Sequence, residues 1–194
     1  MNSIPRSEHP KPQFRRDSWM NLNGQWAFEI DNGRSGKARG LNAKDAQLSG
    51  RIIVPFCPQS ELSGVNHKDF LSGVWYRRTF ELTKEQLSGQ VVLHFGAVDY
   101  RCEAFVNGVS VGTHTGGYVS FCFDVTGAVH EGENVVTVYA EDDERDPLIP
   151  MLKKSGIPFV AIGRPVDQDV ISVDHDQVGG CRELVSLLLM KGLR

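Results

Sequence analysis

Short runs of alternating apolar and polar residues occupy most of the first three quarters of the chain. Over residues 24–141 these runs are separated by turn residues, and helical periodicity is scarce. In residues 25–30, for example, Trp26, Phe28 and Ile30 fall on one face. Alternation with a period of two is typical of strands with one buried face. The pattern therefore predicts an all-β sandwich or barrel.

Eight segments carry this strand pattern. They are residues 25–30, 51–54, 74–82, 90–98, 100–106, 109–113, 121–125 and 134–141. The dipeptide Asn107-Gly108 predicts a tight hairpin between two of them, because both residue types tolerate positive φ. Residues 33–50 are polar, glycine-rich and without a period, so they predict a long loop with room for one helical turn.

The pattern changes beyond residue 147. Residues 157–163 and 170–173 are continuous apolar runs, typical of strands that are buried on both faces of a parallel sheet. Residues 181–191 are rich in leucine and predict an apolar helix. We therefore expect a mainly β domain over residues 1–147, followed by a short α/β fragment over residues 150–194.

Composition and charge exclude several classes of function. The formal net charge is -3, and the Lys and Arg residues are scattered, so no nucleic-acid partner is expected. The chain has neither a signal-peptide core nor an apolar run of the roughly 18 residues that a membrane span needs. We expect a cytoplasmic protein with no membrane partner. Motifs for nucleotide, metalloprotease or serine-hydrolase chemistry are missing, and no cofactor is expected.

The cysteines and the acidic residues do not form a recognisable metal site. Cys57, Cys102, Cys122 and Cys181 include no CxxC pair, which predicts reduced thiols packed among apolar neighbours. The acidic stretch 142–146 could hold a hard cation through oxygen ligands. Its spacing matches no calcium loop, however, and a solvated loop is the commoner structure for such a run. No metal is therefore predicted.

Six motifs follow one another along the β region: residues 17–26, 54–60, 74–80, 93–100, 105–108 and 112–118. Together they resemble the N-terminal sugar-binding domain of glycoside hydrolase family 2, the family of β-galactosidases, β-glucuronidases and β-mannosidases. The resemblance covers about residues 14–147. It implies a galactose-binding-like jelly-roll β-sandwich, carbohydrate as the partner, and packing against a catalytic (β/α)₈ barrel.

A barrel of that kind needs roughly 250 residues, more than the 194 of this chain. The sequence therefore predicts a truncated family member in which no catalytic residue can be assigned. Such enzymes cleave the glycosidic bond with two carboxylic residues, and the resemblance implies that both lie in the missing barrel.

Three residues are candidates for contact with a sugar: Asp99, His114 and Tyr118. A structural role is the alternative for Asp99, which would cap the backbone at a strand turn, and for His114, which would fix its loop through a hydrogen bond. Trp75 and Tyr76 have rings that could stack on a pyranose, but the alternation of their strand predicts that they pack in the core or against another domain.

Two strings in the last part of the chain, residues 152–163 and 170–180, resemble the effector-binding domain of lactose-repressor-type regulators. In that family an Asp-Asn pair touches a sugar effector, and here Asp176-Gln177 holds the place. The DNA-reading helices of those regulators are absent, so the resemblance implies a fused gene or an artefact of assembly.

Three functions follow from these observations. The chain is a non-catalytic piece of a family 2 glycosidase, a stand-alone carbohydrate-binding module, or a remnant without function. Turnover of β-galactosides would require the missing carboxylates, whereas saturable glycan binding separates a module from a remnant.

Overall fold

A computed structural model describes residues 4–15, 18–142, 148–162, 169–173 and 177–190. The chain divides into two compact units, Met1–Asp143 and Glu144–Arg194, and each is described by itself. The described residues of the first unit form eight strands: β1 (Gly24–Ile30), β2 (Gly50–Val54), β3 (Gly73–Leu82), β4 (Val92–Phe95), β5 (Arg101–Val106), β6 (Val109–Thr115), β7 (Phe121–Asp124) and β8 (Gly132–Glu141).

The strands form two antiparallel sheets. The large sheet has the order β2-β1-β3-β8-β5-β6, and the small sheet consists of β4 and β7. β3 and β8 form the longest ladder, from Gly73 opposite Glu141 to Leu82 opposite Gly132. The mainly β architecture that alternation and the family resemblance predict is confirmed.

The core lies on the face of the large sheet that carries Trp26 and Phe28. The predicted inward faces of β1 and β5 are confirmed, since Cys102, Ala104 and Val106 are also buried. Leu93 and Phe95 of β4 pack against this core from the small sheet. Alternation thus identifies the buried face wherever one face of a strand meets the core.

The opposite face of the large sheet is covered by the loop between β1 and β2. Leu41 from this loop packs against Trp75, Phe105 and Tyr139 of the sheet. The guanidinium of Arg77 donates hydrogen bonds to backbone carbonyls of the same loop. Residues 33–49, all of them described, contain turns, and the Arg39 amide donates to the Ser35 carbonyl at 3.0 Å, a single bond of helical spacing. The predicted loop with room for one helical turn is therefore confirmed. The loop obtains its order from the sheet beneath it.

The hairpin between β5 and β6 has the predicted turn. Asn107 and Gly108 have φ angles of 52° and 85°, the positive values that a type I′ turn requires. The Asn107 side chain also donates to Asn134 Oδ1 at 2.8 Å and accepts a bond from the Val135 amide at 3.0 Å. The asparagine therefore stabilises both its own turn and the neighbouring strand β8.

The prediction that the cysteines are buried is correct for one of the three whose side chains are described. Cys102 is buried, and burial raises the pKa of its thiol to about 11. Cys57 and Cys122 are exposed. Cys57 lies in a loop, and Cys122 points outward from the small sheet, so the preference of free cysteine for the interior does not decide either position. The side chain of Cys181 lies outside the described residues.

The second unit contains α1 (Leu148–Ser155), β9 (Ala161–Ile162), β10 (Ser172–Val173) and α2 (Gln177–Met190). β9 and β10 pair in parallel, which agrees with a short α/β fragment. The burial predicted for the two apolar runs is confirmed for Val170 and wrong for four other residues, which are exposed: Ile157, Val160, Ile171 and Val173. A two-stranded sheet of two residues per strand is too small to bury both of its faces. No helix among the described residues is long and apolar enough to cross a membrane.

Candidate functional site

Two loops of the first unit leave the same end of the large sheet. β5 begins at Arg101, which lies between Glu141 at the end of β8 and Thr115 at the end of β6. The chain enters β5 through residues 96–100 and leaves β6 through residues 116–120. We call these segments the 96–100 loop and the 116–120 loop, and together they carry Asp99 and Tyr118.

The two loops touch each other. The Gly116 amide donates a hydrogen bond of 2.7 Å to the Tyr100 carbonyl. A Cβ atom on Gly117 would lie 2.3 Å from Asp99 Oδ1, so only glycine allows this approach. Asp99 is exposed, and its carboxylate lies against the backbone of the 116–120 loop. The structure therefore brings Asp99 beside the loop that carries Tyr118.

His114 is the penultimate residue of β6 and precedes the 116–120 loop. Its ring stacks on Phe121, with 3.9 Å between the ring centroids and 13° between the planes. Its Nε2 atom is buried and has no hydrogen-bond partner among the described residues. The loop-fixing hydrogen bond considered for His114 is therefore not made by Nε2, and ring stacking holds the side chain instead.

Tyr118 is the most exposed aromatic side chain of the described chain, at 97%. Its neighbour Val119 is also exposed. Beside them, Lys11 Nζ donates a hydrogen bond of 3.0 Å to Ser120 Oγ. The ring of Tyr118 is available for stacking, and a positive charge lies at the same loop. Lys11 belongs to none of the sequence motifs, so only the fold identifies it.

The other residues considered from the sequence do not form part of the site at the 96–100 and 116–120 loops. Trp75 is fully buried and donates its indole N–H to Asp31 at 2.9 Å, which confirms core packing and excludes stacking on a sugar. Tyr76 is half-buried, and burial raises the pKa of its hydroxyl. Asp142 is the only member of the acidic stretch that the structure describes. The other members, at 143–146, lie outside the described residues.

A small, partly open cavity of about 20 Å³ lies on the outer face of the large sheet. It is lined by charged and polar side chains, among them Lys37, Arg101, Glu103, Tyr139 and Glu141. That volume holds one water molecule and no sugar ring. Burial would raise the pKa of Glu103, but hydrogen bonds from Lys37 and Ser110 outweigh it and lower the pKa. A glycosidase general acid needs the opposite shift, so Glu103 does not suit that role.

The described residues contain no group of three or more His, Cys, Asp or Glu side chains arranged to hold a metal ion. The chemistry that the two loops present is that of ring stacking, hydrogen bonding and charge. It consists of an exposed aromatic ring, a carboxylate that accepts hydrogen bonds, and an ammonium group.

Comparison with known proteins relates the first unit to carbohydrate-active enzymes. Residues 19–144 match the family model described as glycosyl hydrolases family 2, sugar binding domain. A putative beta-glucuronidase of Formosa agariphila is 29% identical over 169 residues, which are 87% of this chain and 20% of that protein. A beta-galactosidase of Thermoanaerobacter pseudethanolicus is 33% identical over 85 residues, 43% of this chain and 11% of that protein.

Solved structures agree with these matches. The beta-glucuronidase of Lactobacillus rhamnosus is 28% identical, with a TM-score of 0.58 over 64% of this chain and 21% of that one. The beta-glucuronidase of Ruminococcus gnavus in complex with D-glucuronic acid is 25% identical, with a TM-score of 0.54 over 63% of this chain and 21% of that one. The chain thus spans between about a tenth and a fifth of the length of these relatives.

Proposed function

Since the chain belongs to glycosyl hydrolases family 2 through its sugar-binding domain, we propose that this domain binds carbohydrate and does not hydrolyse it by itself. The observation that carries the proposal is the ring of Tyr118, which is 97% exposed at the end of the sandwich. An aromatic face in water is costly for a folded domain to display and suits the apolar face of a pyranose. The 96–100 loop, which touches the loop of Tyr118, supplies the Asp99 carboxylate for the sugar hydroxyls.

The chemistry of the loops favours a β-glycoside with a negative charge. Asp99 presents a carboxylate that accepts hydrogen bonds from sugar hydroxyls, and Lys11 supplies an ammonium beside Ser120 that attracts a uronic acid carboxylate. Several similar proteins are named beta-glucuronidases, and the matched Ruminococcus gnavus structure holds D-glucuronic acid. We therefore propose a β-glucuronide as the preferred ligand and a β-galactoside as the weaker one.

Binding without turnover agrees with the carboxylates that the structure describes. Retaining glycosidases hold two carboxyl groups about 5–5.5 Å apart around the scissile bond. Glu103 and Glu141, which line the small cavity, are engaged by Lys37 and by Tyr139. In a family 2 enzyme the domain would support a catalytic domain, and on its own it would act as a carbohydrate-binding module.

A titration of the whole chain with methyl β-D-glucuronide tests the proposal. Tyr118→Ala removes the stacking surface, and we expect binding to weaken by at least about fivefold, or roughly 1 kcal/mol. Val109→Ala is the matched control, because Val109 is also exposed but lies at the opposite end of β6. Its affinity should equal that of the unmodified chain.

The same samples are assayed for hydrolysis of chromogenic β-glucuronides and β-galactosides. We expect no rate above buffer. Turnover that purifies with the chain would contradict the non-catalytic role, and equal affinities of the Tyr118→Ala and Val109→Ala variants would contradict the binding site. A chain that binds neither sugar at millimolar concentration would leave a remnant without function as the better account.

For residues 150–194 we propose descent from a lactose-repressor-type effector domain, supported by the parallel pairing of β9 with β10 ahead of α2. Asp176, one of the two effector-contact positions, lies outside the described residues. One finding favours the alternative, in which this segment continues the family 2 domain. The Formosa agariphila alignment covers 87% of the chain, whereas residues 1–147 make up only about three quarters of its 194 residues. Sequencing the genomic region that encodes residues 147–153 separates a genuine fusion from an artefact.

A further inference from the structure

The outward face of the small sheet carries a histidine and a cysteine side by side. The register of β4 and β7 places His94 directly opposite Cys122, and both residues are exposed. The residues that alternate with them, Phe95 and Phe121 among them, stack on each other on the core side. The core packing therefore holds both strands in the register that pairs the two polar side chains.

The hydrogen bonds of the ladder show which kind of pair this is. The Val125 amide donates to the Val91 carbonyl at 2.9 Å, so the alternation along the two strands makes His94 and Cys122 a non-hydrogen-bonded pair. The Cα atoms of such pairs lie about 4.5 Å apart, closer than those of hydrogen-bonded pairs. Zinc binds about 2.3 Å from a cysteine sulfur and about 2.0 Å from a histidine nitrogen. Side chains that leave two Cα atoms about 4.5 Å apart on the same face can both reach one such ion.

We propose that His94 and Cys122 form a two-ligand site for a thiophilic divalent cation, with Zn²⁺ as the ion that best suits one nitrogen and one sulfur ligand. Water completes the coordination, because the pair faces solvent. His94 and Cys122 lie in β4 and β7 and belong to neither the 96–100 loop nor the 116–120 loop.

Asp124, the acidic residue of β7, contributes negative charge near the proposed site but does not coordinate the ion. Asp124 lies on the same face two residues after Cys122. Its oxygens accept hydrogen bonds from the Thr126 hydroxyl at 2.6 Å and from Gln90 at 2.8 Å. Asp124 is exposed, so this face of the small sheet carries an acidic side chain beside the pair. With two protein ligands the affinity falls well below that of a structural zinc site with four.

The test measures alkylation of each cysteine in the whole chain with and without Zn²⁺. After timed exposure to iodoacetamide, mass spectrometry of the digested protein reports Cys122 and Cys57 separately. A metal-bound thiolate does not react, so saturating Zn²⁺ should slow the alkylation of Cys122 by about tenfold or more. Cys57, which is also exposed, is the internal control and should react at an unchanged rate.

His94→Ala and His94→Gln remove the nitrogen ligand, and both should abolish the protection of Cys122 while circular dichroism shows an unchanged fold. Because His94 is exposed, neither variant opens a cavity in the core. The proposal is overturned if Zn²⁺ leaves the reactivity of Cys122 unchanged, if it slows both cysteines equally, or if the protection survives in the two His94 variants.

Discussion

Asp31 connects the large sheet to the loop covering its outer face through hydrogen bonds of its carboxylate. Its carboxylate, only 4% exposed, accepts hydrogen bonds from Trp75 Nε1 at 2.9 Å, the Gly36 amide at 2.7 Å and the Ser35 amide at 2.9 Å. Burial would raise the pKa of this group, but the hydrogen bonds outweigh burial and lower it below its ordinary value of 3.8. The ionised form is therefore part of the folded structure.

This shift predicts how stability changes in acid. Because the folded pKa is lowered, the contribution of Asp31 is fully present above the unfolded pKa near 3.8 and is lost as pH falls through the folded pKa. Asp31→Asn should cost about 1–3 kcal/mol at pH 7. It should also flatten the fall in the free energy of unfolding below about pH 4, measured by urea denaturation. The exposed Asp69→Asn is the control, and equal acid dependence in both variants would contradict this role.

Some residues of the two proposed sites stand in sequence motifs, and others do not, for a definite reason. Asp99 and Tyr118 stand in family motifs, and the fold brings their loops together. Lys11 stands in no motif and reaches Ser120 only in three dimensions. The pair of His94 with Cys122 likewise depends on the register of two strands that are separated along the chain, which a single sequence does not reveal.

Among the larger elements, the 33–50 loop depends most on a close approach between backbone and side chain. A Cβ atom on Gly36 would lie 2.1 Å from Trp75 Nε1 and 2.7 Å from Asp31 Oδ2, both buried. Gly36 therefore lets the loop approach the aromatic residues of the large sheet.

Gly36→Ala should lower the free energy of unfolding by about 2–4 kcal/mol, because the loop must move away from Trp75 and lose its bonds to Asp31. Gly33→Ala is the matched control in the same loop, since a Cβ there would meet nothing within 4 Å. Urea denaturation followed by tryptophan fluorescence compares the two. A Gly36→Ala variant as stable as the Gly33→Ala variant would show that this packing does not order the loop.

Strand positions were predictable where alternation reflects a single core. The eight strands of the first unit lie within a few residues of their predicted bounds, and β4 is shorter than its apolar pattern because only Val92–Phe95 pairs with β7. The apolar runs of the second unit suggested burial on two faces, which depends on covering layers that the composition of a run does not specify.

At the scale of the whole molecule, the chain combines a family 2 sugar-binding sandwich with a second, smaller unit. We propose that a glycan binds the first unit where the 96–100 and 116–120 loops meet, around Tyr118. The cavity on the outer face is too small to be an alternative site, at about 20 Å³.

The most direct test is a ¹⁵N-labelled NMR titration of the whole chain with methyl β-D-glucuronide. The account predicts saturable shifts of backbone amides that are concentrated in residues 96–100 and 114–120, with the amides around the Asn107-Gly108 hairpin unchanged. Shifts spread evenly over the sandwich, shifts centred on another surface, or an unchanged spectrum at millimolar sugar would contradict it.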